Sequence, residues 1–154
     1  MDFRLLGLAA SEFEPLFDLD DETLRARGAR RCIAGDDGGY PCRISLTDAR
    51  PGDELLLLNY EHQDADSPFR SRHAIYVRRG EQRYDAVNAV PEQLRRRLLS
   101  VRGFDADGML TGADVVDGGA LESAITPLLA NPRVAYLHVH FAKPGCYAAR
   151  VERA

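Results

Sequence analysis

The sequence predicts an α+β fold: a mainly antiparallel, mixed sheet with several hairpins, packed by two longer and two short helices. Strand-like runs joined by turn signals recur along the chain, and helical patterns fall between them without the regular alternation of βαβ winding. No composition shift, long linker or internal repeat divides the 154 residues, so a single domain spanning 1–154 is expected. A chain of this length buries roughly 70% of the surface its unfolded form exposes, enough for a core without disulfide or metal staples.

In chain order, FRLLGL (Phe3 to Leu8) reads as a first strand. Ser11 is a candidate N-cap for a short helix whose Phe13, Leu16 and Phe17 share a face. Asp20 caps a second short helix that Gly28 closes. ARRCIA is a possible strand, ended by the Asp36-Asp37-Gly38-Gly39 turn, and YPCRISL (Tyr40 to Leu46) is extended, with a turn at Pro51-Gly52. ELLLLNYEH (Glu54 to His62) and HAIYVRR (His73 to Arg79) are the clearest strands, and a tight hairpin around Gly80 leads into another. Pro91 to Val101 carries the stripe Val90, Leu94, Leu98, Val101 behind a first-turn proline, the pattern of a helix with Arg95 to Arg97 on its solvated side. Asp107-Gly108 signals a hairpin. Leu121, Ala124, Ile125, Leu128 and Leu129 then mark a core-facing helix that Pro127 bends or restarts.

Composition narrows the function classes. A net charge of −4 argues against a general nucleic-acid binder, which needs a surplus of Lys and Arg on one face. The longest apolar run, Leu55 to Leu58, is far short of a membrane span, and the first residues lack a signal-peptide layout. Cys32, Cys42 and Cys146 are an odd number in a chain that does not need them to fold, which fits a reducing compartment. A cytoplasmic protein is expected, with no nucleic-acid or membrane partner and an oligomeric state that the residues do not fix.

The segment from about 134 to 153 is an antiparallel hairpin around Lys143-Pro144-Gly145. If Ala142 pairs with Cys146, then His140 opposes Ala148, His138 opposes Arg150 and Tyr136 opposes Glu152, while Phe141, Val139 and Leu137 face Tyr147, Ala149 and Val151. One face is then apolar and the other collects His138, His140, Cys146, Arg150 and Tyr136. Such a face is either turned to water or a site. Histidines at i, i+2 stand about 6 to 7 Å apart at Cα and can chelate a metal, but Arg150 beside His138 favours an anion. His62 and His73 bracket the central loop and oppose each other if their strands pair symmetrically. Three or four histidines could then meet at one sheet. Cys146 near the histidine face is a possible nucleophile, or a small buried residue beside a turn.

YPCRISLTDARPGDELLLLNYEHQ, SPFRSRHAIYVR and YLHVHFAKPGCYAARVER together resemble a bacterial family known only as domain of unknown function 1203. The resemblance implies that the central and terminal hairpins belong to one domain. It brings no activity, substrate or cofactor.

The leading expectation is a sheet pocket that binds or processes a small anionic molecule, with His138, His140 or Cys146 as catalytic groups and Arg150, His62, His73 and Tyr136 as ligand contacts. The alternatives are a metal-dependent enzyme with a multi-histidine centre, and a protein-interaction module with no catalytic site.

Overall fold

Nine strands form, paired antiparallel in two sheets, in a computed structural model that describes all 154 residues. They are β1 (Phe3–Leu6), β2 (Ala29–Ile33), β3 (Glu54–Gln63), β4 (Ser71–Arg78), β5 (Asp85–Val87), β6 (Leu98–Phe104), β7 (Leu110–Asp117), β8 (Tyr136–Phe141) and β9 (Tyr147–Arg153). The larger sheet runs β5-β1-β9-β8-β6-β7 and the smaller β2-β3-β4. Three helices accompany them: α1 (Asp21–Ala26), α2 (Glu92–Arg95) and α3 (Leu121–Ala130). The α+β class with antiparallel sheet therefore holds. The expected set of two longer and two short helices does not, since only α3 is long, and one sheet has become two.

Local chemistry explains several elements. Asp20 caps α1 by accepting from the Thr23 amide at 2.7 Å, and Gly28 follows the helix at φ 71°. The stretch expected as a helix from Ser11 forms two 3-10 turns, Ala10–Glu12 and Glu14–Asp18, which still bury Phe13 and Phe17. Residues 40–46 do not form a strand; Cys42 makes an isolated bridge to Tyr76 of β4, Pro41 bridges Asp48 within the loop, and the chain turns at Leu46 with φ 54°. The turn at Gly80 does not return β5 to β4, because β5 pairs with β1 in the other sheet.

The expected helix over 91–101 stops at Arg95, and Leu98–Phe104 continues as β6. Leu94, Leu98 and Val101 fit a helical period, but Leu99, Val101 and Gly103 fit a period of two and are the buried ones, while Leu98 is exposed. Pairing with β7 on one side and β8 on the other satisfies the backbone of β6 and decides the outcome.

Two apolar cores result. One face of the larger sheet, with Leu99, Val101, Leu137, Val139 and Val151, packs on Leu121, Ala124, Ile125 and Leu129 of α3. The second core joins Phe13, Phe17 and Leu24 to Leu56, Leu58, Ile75 and Val77 of the smaller sheet, and Tyr147 of β9 enters it. Gly118 ties α2 to this frame. Its amide donates to the Arg97 carbonyl at 2.8 Å, and a Cβ there would lie 1.7 Å from the Leu94 carbonyl oxygen. Gly118→Ala is expected to lower stability by about 1–3 kcal/mol through this overlap. Gly119→Ala, where a Cβ meets nothing within 4 Å, should be close to neutral; urea denaturation of the pair checks both.

Candidate functional site

The terminal hairpin keeps its expected register at Leu137 with Val151, His138 with Arg150 and Val139 with Ala149. Near the turn the pairing differs. The connection is residues 142–145, not three residues: the Phe141 amide donates to the Cys146 carbonyl, and the Phe141 carbonyl accepts from the Gly145 amide. His140 consequently pairs with Tyr147, and a bulge at Ala148 restores the register beyond it. That one-residue slip moves Tyr147 to the histidines, with ring centroids 5.2 Å from His138 and 5.9 Å from His140. Cys146 instead joins Phe141 in the α3-side core.

The face carrying His138 and His140 is not turned to water. The smaller sheet packs across it, and the two histidines are only 3% and 1% exposed. The β3–β4 pairing is offset by two residues from the symmetric register, so Tyr60, not His62, opposes His73. His62 is the extra residue of a bulge between Glu61 and Gln63. From there its ring reaches across the sheets, stacked 5.5 Å from Tyr147 and 5.0 Å from His140, with His138 at 6.3 Å.

Three of the four histidines thus come together, and His73 stays outside, with Nδ1 3.2 Å from the Ala74 carbonyl oxygen. Burial first, and then neighbouring positive charge, holds His138 down to about 2, His140 to about 3 and His62 to about 4. All three are neutral imidazoles at pH 7. His140 Nδ1 lies 3.1 Å from the Gly145 carbonyl, whereas Nδ1 of His62 and of His138 have no hydrogen-bond partner. No three His, Cys, Asp or Glu side chains are arranged to hold one metal ion.

Arg150 and Tyr136 are occupied at the same seam. The Arg150 guanidinium lies 4.0 Å over the Tyr136 ring and donates to Glu152 at 2.6 Å, and Tyr136 exchanges hydrogen bonds with Gln63. No pocket is lined by His62, His138, His140 or Arg150.

An open pocket lies instead beside the hairpin turn. It has a volume of about 280 Å³, is lined by Arg43, Arg96, Arg97, Lys143, Phe141 and Cys146 among others, and has no acid in its wall. Arg43 is its most constrained member. Only 1% exposed, it donates from Nε to the Tyr147 carbonyl at 2.8 Å, from one terminal nitrogen to the Pro41 carbonyl at 2.6 Å and from the other to Cys146 Sγ at 3.0 Å. No carboxylate neutralises it, and burial lowers its pKa from the ordinary arginine value. The Arg43 and Arg97 guanidinium carbons stand 5.0 and 5.1 Å from the Phe141 ring centroid. Asp48 holds Arg96 and Arg97 through one oxygen, Oδ2, at 3.4 and 3.1 Å, and Arg95 turns away to Glu122.

Cys146, expected near the histidines, therefore belongs to this pocket and touches Arg43 rather than an imidazole. Arg43, Arg96, Arg97 and Lys143 were not among the expected ligand contacts, and Arg95 to Arg97 do not form one solvated helix face. The available signal was Arg43 itself, a lone cation between Cys42 and Ile44 in an otherwise apolar run.

Fold and pocket together define an α+β protein of two antiparallel sheets with a cationic pocket at the end of its terminal hairpin. The chain belongs to the family described as Protein of unknown function (DUF1203), which matches residues 39–153. The match takes in both hairpins, the histidine seam and the whole pocket, and leaves out β1, α1 and β2. Comparison with curated proteins and with solved structures finds no match. No helix is long and apolar enough to cross a membrane.

Proposed function

We propose that the chain binds a small anionic molecule in the pocket walled by Arg43, Arg96, Arg97 and Lys143. The observation that carries this reading is the buried Arg43 guanidinium with no carboxylate partner, in the wall of a cavity without acids. A buried charge left unpaired is costly, and a bound carboxylate or phosphate at the cavity floor supplies the missing partner. The volume of about 280 Å³ suits a metabolite-sized ligand rather than a polymer. The anionic-ligand expectation is thus kept, with its seat moved from the histidine face to the turn.

The experiment is titration of the purified chain with inorganic phosphate and with a dicarboxylate, read by calorimetry and thermal shift. Arg96 and Lys143 lie at the rim, so Arg96→Ala/Lys143→Ala should leave the fold intact. The double variant is expected to weaken binding about tenfold or more, and wild-type affinity should fall as salt rises. Equal affinity in wild type and variant, or none in either, removes the reading.

A further inference from the structure

We propose that Cys146 is a covalent modification site selective for small electrophiles that carry a negative charge, carboxylate-bearing disulfides in particular. The proposal rests on the anion pocket and adds a reaction to it. Cys146 Sγ is the one group able to become an anion among those that Arg43 contacts, and Cys146, though only 6% exposed, is part of the pocket wall. Thiols held against arginine in open, electropositive surroundings are the reactive ones, because the thiolate is the attacking species. Three further cations border the same cavity, so a reagent bearing a carboxylate is drawn to the sulfur that a neutral reagent reaches unaided.

The other two cysteines have different surroundings. Cys42 is fully buried and accepts from the Arg78 amide at 3.4 Å. Cys32 lies on β2 and is the more exposed, but burial pushes its thiol up, and no guanidinium contacts its sulfur. Cys32 is therefore an internal reference for a thiol without the pocket. All three cysteines are free thiols, so none is held in a disulfide.

The step is a thiol–disulfide exchange. The Cys146 thiol loses its proton to solvent, and Sγ attacks one sulfur of a carboxylate-bearing disulfide such as oxidised glutathione. A new S–S bond forms to Cys146 as the reagent's S–S bond breaks, and the departing thiolate takes a proton from solvent. One disulfide is consumed and one is made, so no outside oxidant is needed.

The test compares iodoacetate with iodoacetamide on the native, reduced chain, with each cysteine followed by peptide mass spectrometry, and repeats the labelling with oxidised glutathione. Both alkylating reagents react by displacement of iodide by sulfur, and they differ in charge. The iodoacetate-to-iodoacetamide rate ratio is expected to be about tenfold higher at Cys146 than at Cys32. Inorganic phosphate should slow Cys146 alone, and Arg96→Ala/Lys143→Ala should bring its ratio towards that of Cys32. Oxidised glutathione should add to Cys146 first, and Cys146→Ser should abolish that adduct. A ratio at Cys146 no higher than at Cys32 while phosphate still binds overturns the thiol proposal and leaves the anion pocket standing. An unshifted ratio with no phosphate binding removes both.

Discussion

Lowering the pH from 7 to 5 is expected to destabilise the protein by on the order of 3–4 kcal/mol through its buried histidines. His138 and His140 are 3% and 1% exposed, and burial holds them down to about 2 and about 3 against an ordinary value of 6.5. In the unfolded chain the same imidazoles take up protons as the pH falls through 6.5. The native state refuses them, so the unfolded state binds more protons throughout that window. Stability is fully present above pH 6.5, falls as the solution is acidified, and stops falling from this source only when the native imidazoles themselves titrate near pH 2–3. At pH 5 each of the two contributes a loss of about 2 kcal/mol, and His62, more exposed, adds less. The charges that face the seam reinforce the effect, since Arg102 and Arg150 bring positive charge to His138 and the Glu152 carboxylate is held by Arg150.

Urea midpoints measured from pH 7.5 to 4.5 check this directly. His138→Phe, placed among Phe104, Tyr136 and Tyr147, should remove roughly a third to a half of the pH slope, since it deletes a proton acceptor whose Nδ1 makes no bond. A midpoint that stays flat between pH 7 and 5 would mean that the seam opens to water and the imidazoles titrate normally.

The terminal hairpin was legible because its two faces sort by polarity, and a slip of the whole strand would mix them. What the pattern could not show is a bulge. Ala148 and His62 are both residues in excess of their ladders, and each bulge turns an aromatic ring, Tyr147 or the imidazole of His62, towards the other sheet. The force that selects them is packing between sheets, which leaves no trace in the alternation of either strand. The same cause made His138 and His140 look like an open polar face, because nothing local to β8 and β9 says that β3 will cover them. Arg95, Arg96 and Arg97 were misread for a different reason. Their stripe of apolar neighbours fits two periods, and only the pairing of β6 with β7 and β8 resolves it, sending Arg95 to Glu122 and both Arg96 and Arg97 to Asp48.

Arg43→Ala should cost about 3–5 kcal/mol, the largest loss expected from any single substitution in the pocket. Residues 39–48 have no strand ladder to hold them, so two bonds of Arg43, to the Tyr147 carbonyl and Cys146 Sγ, fasten this loop to the hairpin turn, and the third, to the Pro41 carbonyl, braces the loop itself. The alanine leaves the Pro41 and Tyr147 carbonyls without that donor and opens a cavity beside Phe141. Arg43→Met separates the contributions. It refills most of the volume and removes a buried charge, so it should recover about half of the loss while leaving both carbonyls short of a donor. Arg43→Lys keeps the charge, but an ammonium on a single stem cannot reach three acceptors in three directions, and it should resemble the methionine in stability. The three variants also read out the ligand. Wild type should gain thermal stability from inorganic phosphate by mass action and Arg43→Met should not, whereas Arg43→Lys should retain part of the gain because the charge remains at the cavity floor. An alanine variant within 1 kcal/mol of wild type, or a methionine variant that phosphate stabilises as well as wild type, would show that the buried guanidinium neither fastens the loop nor faces the anion.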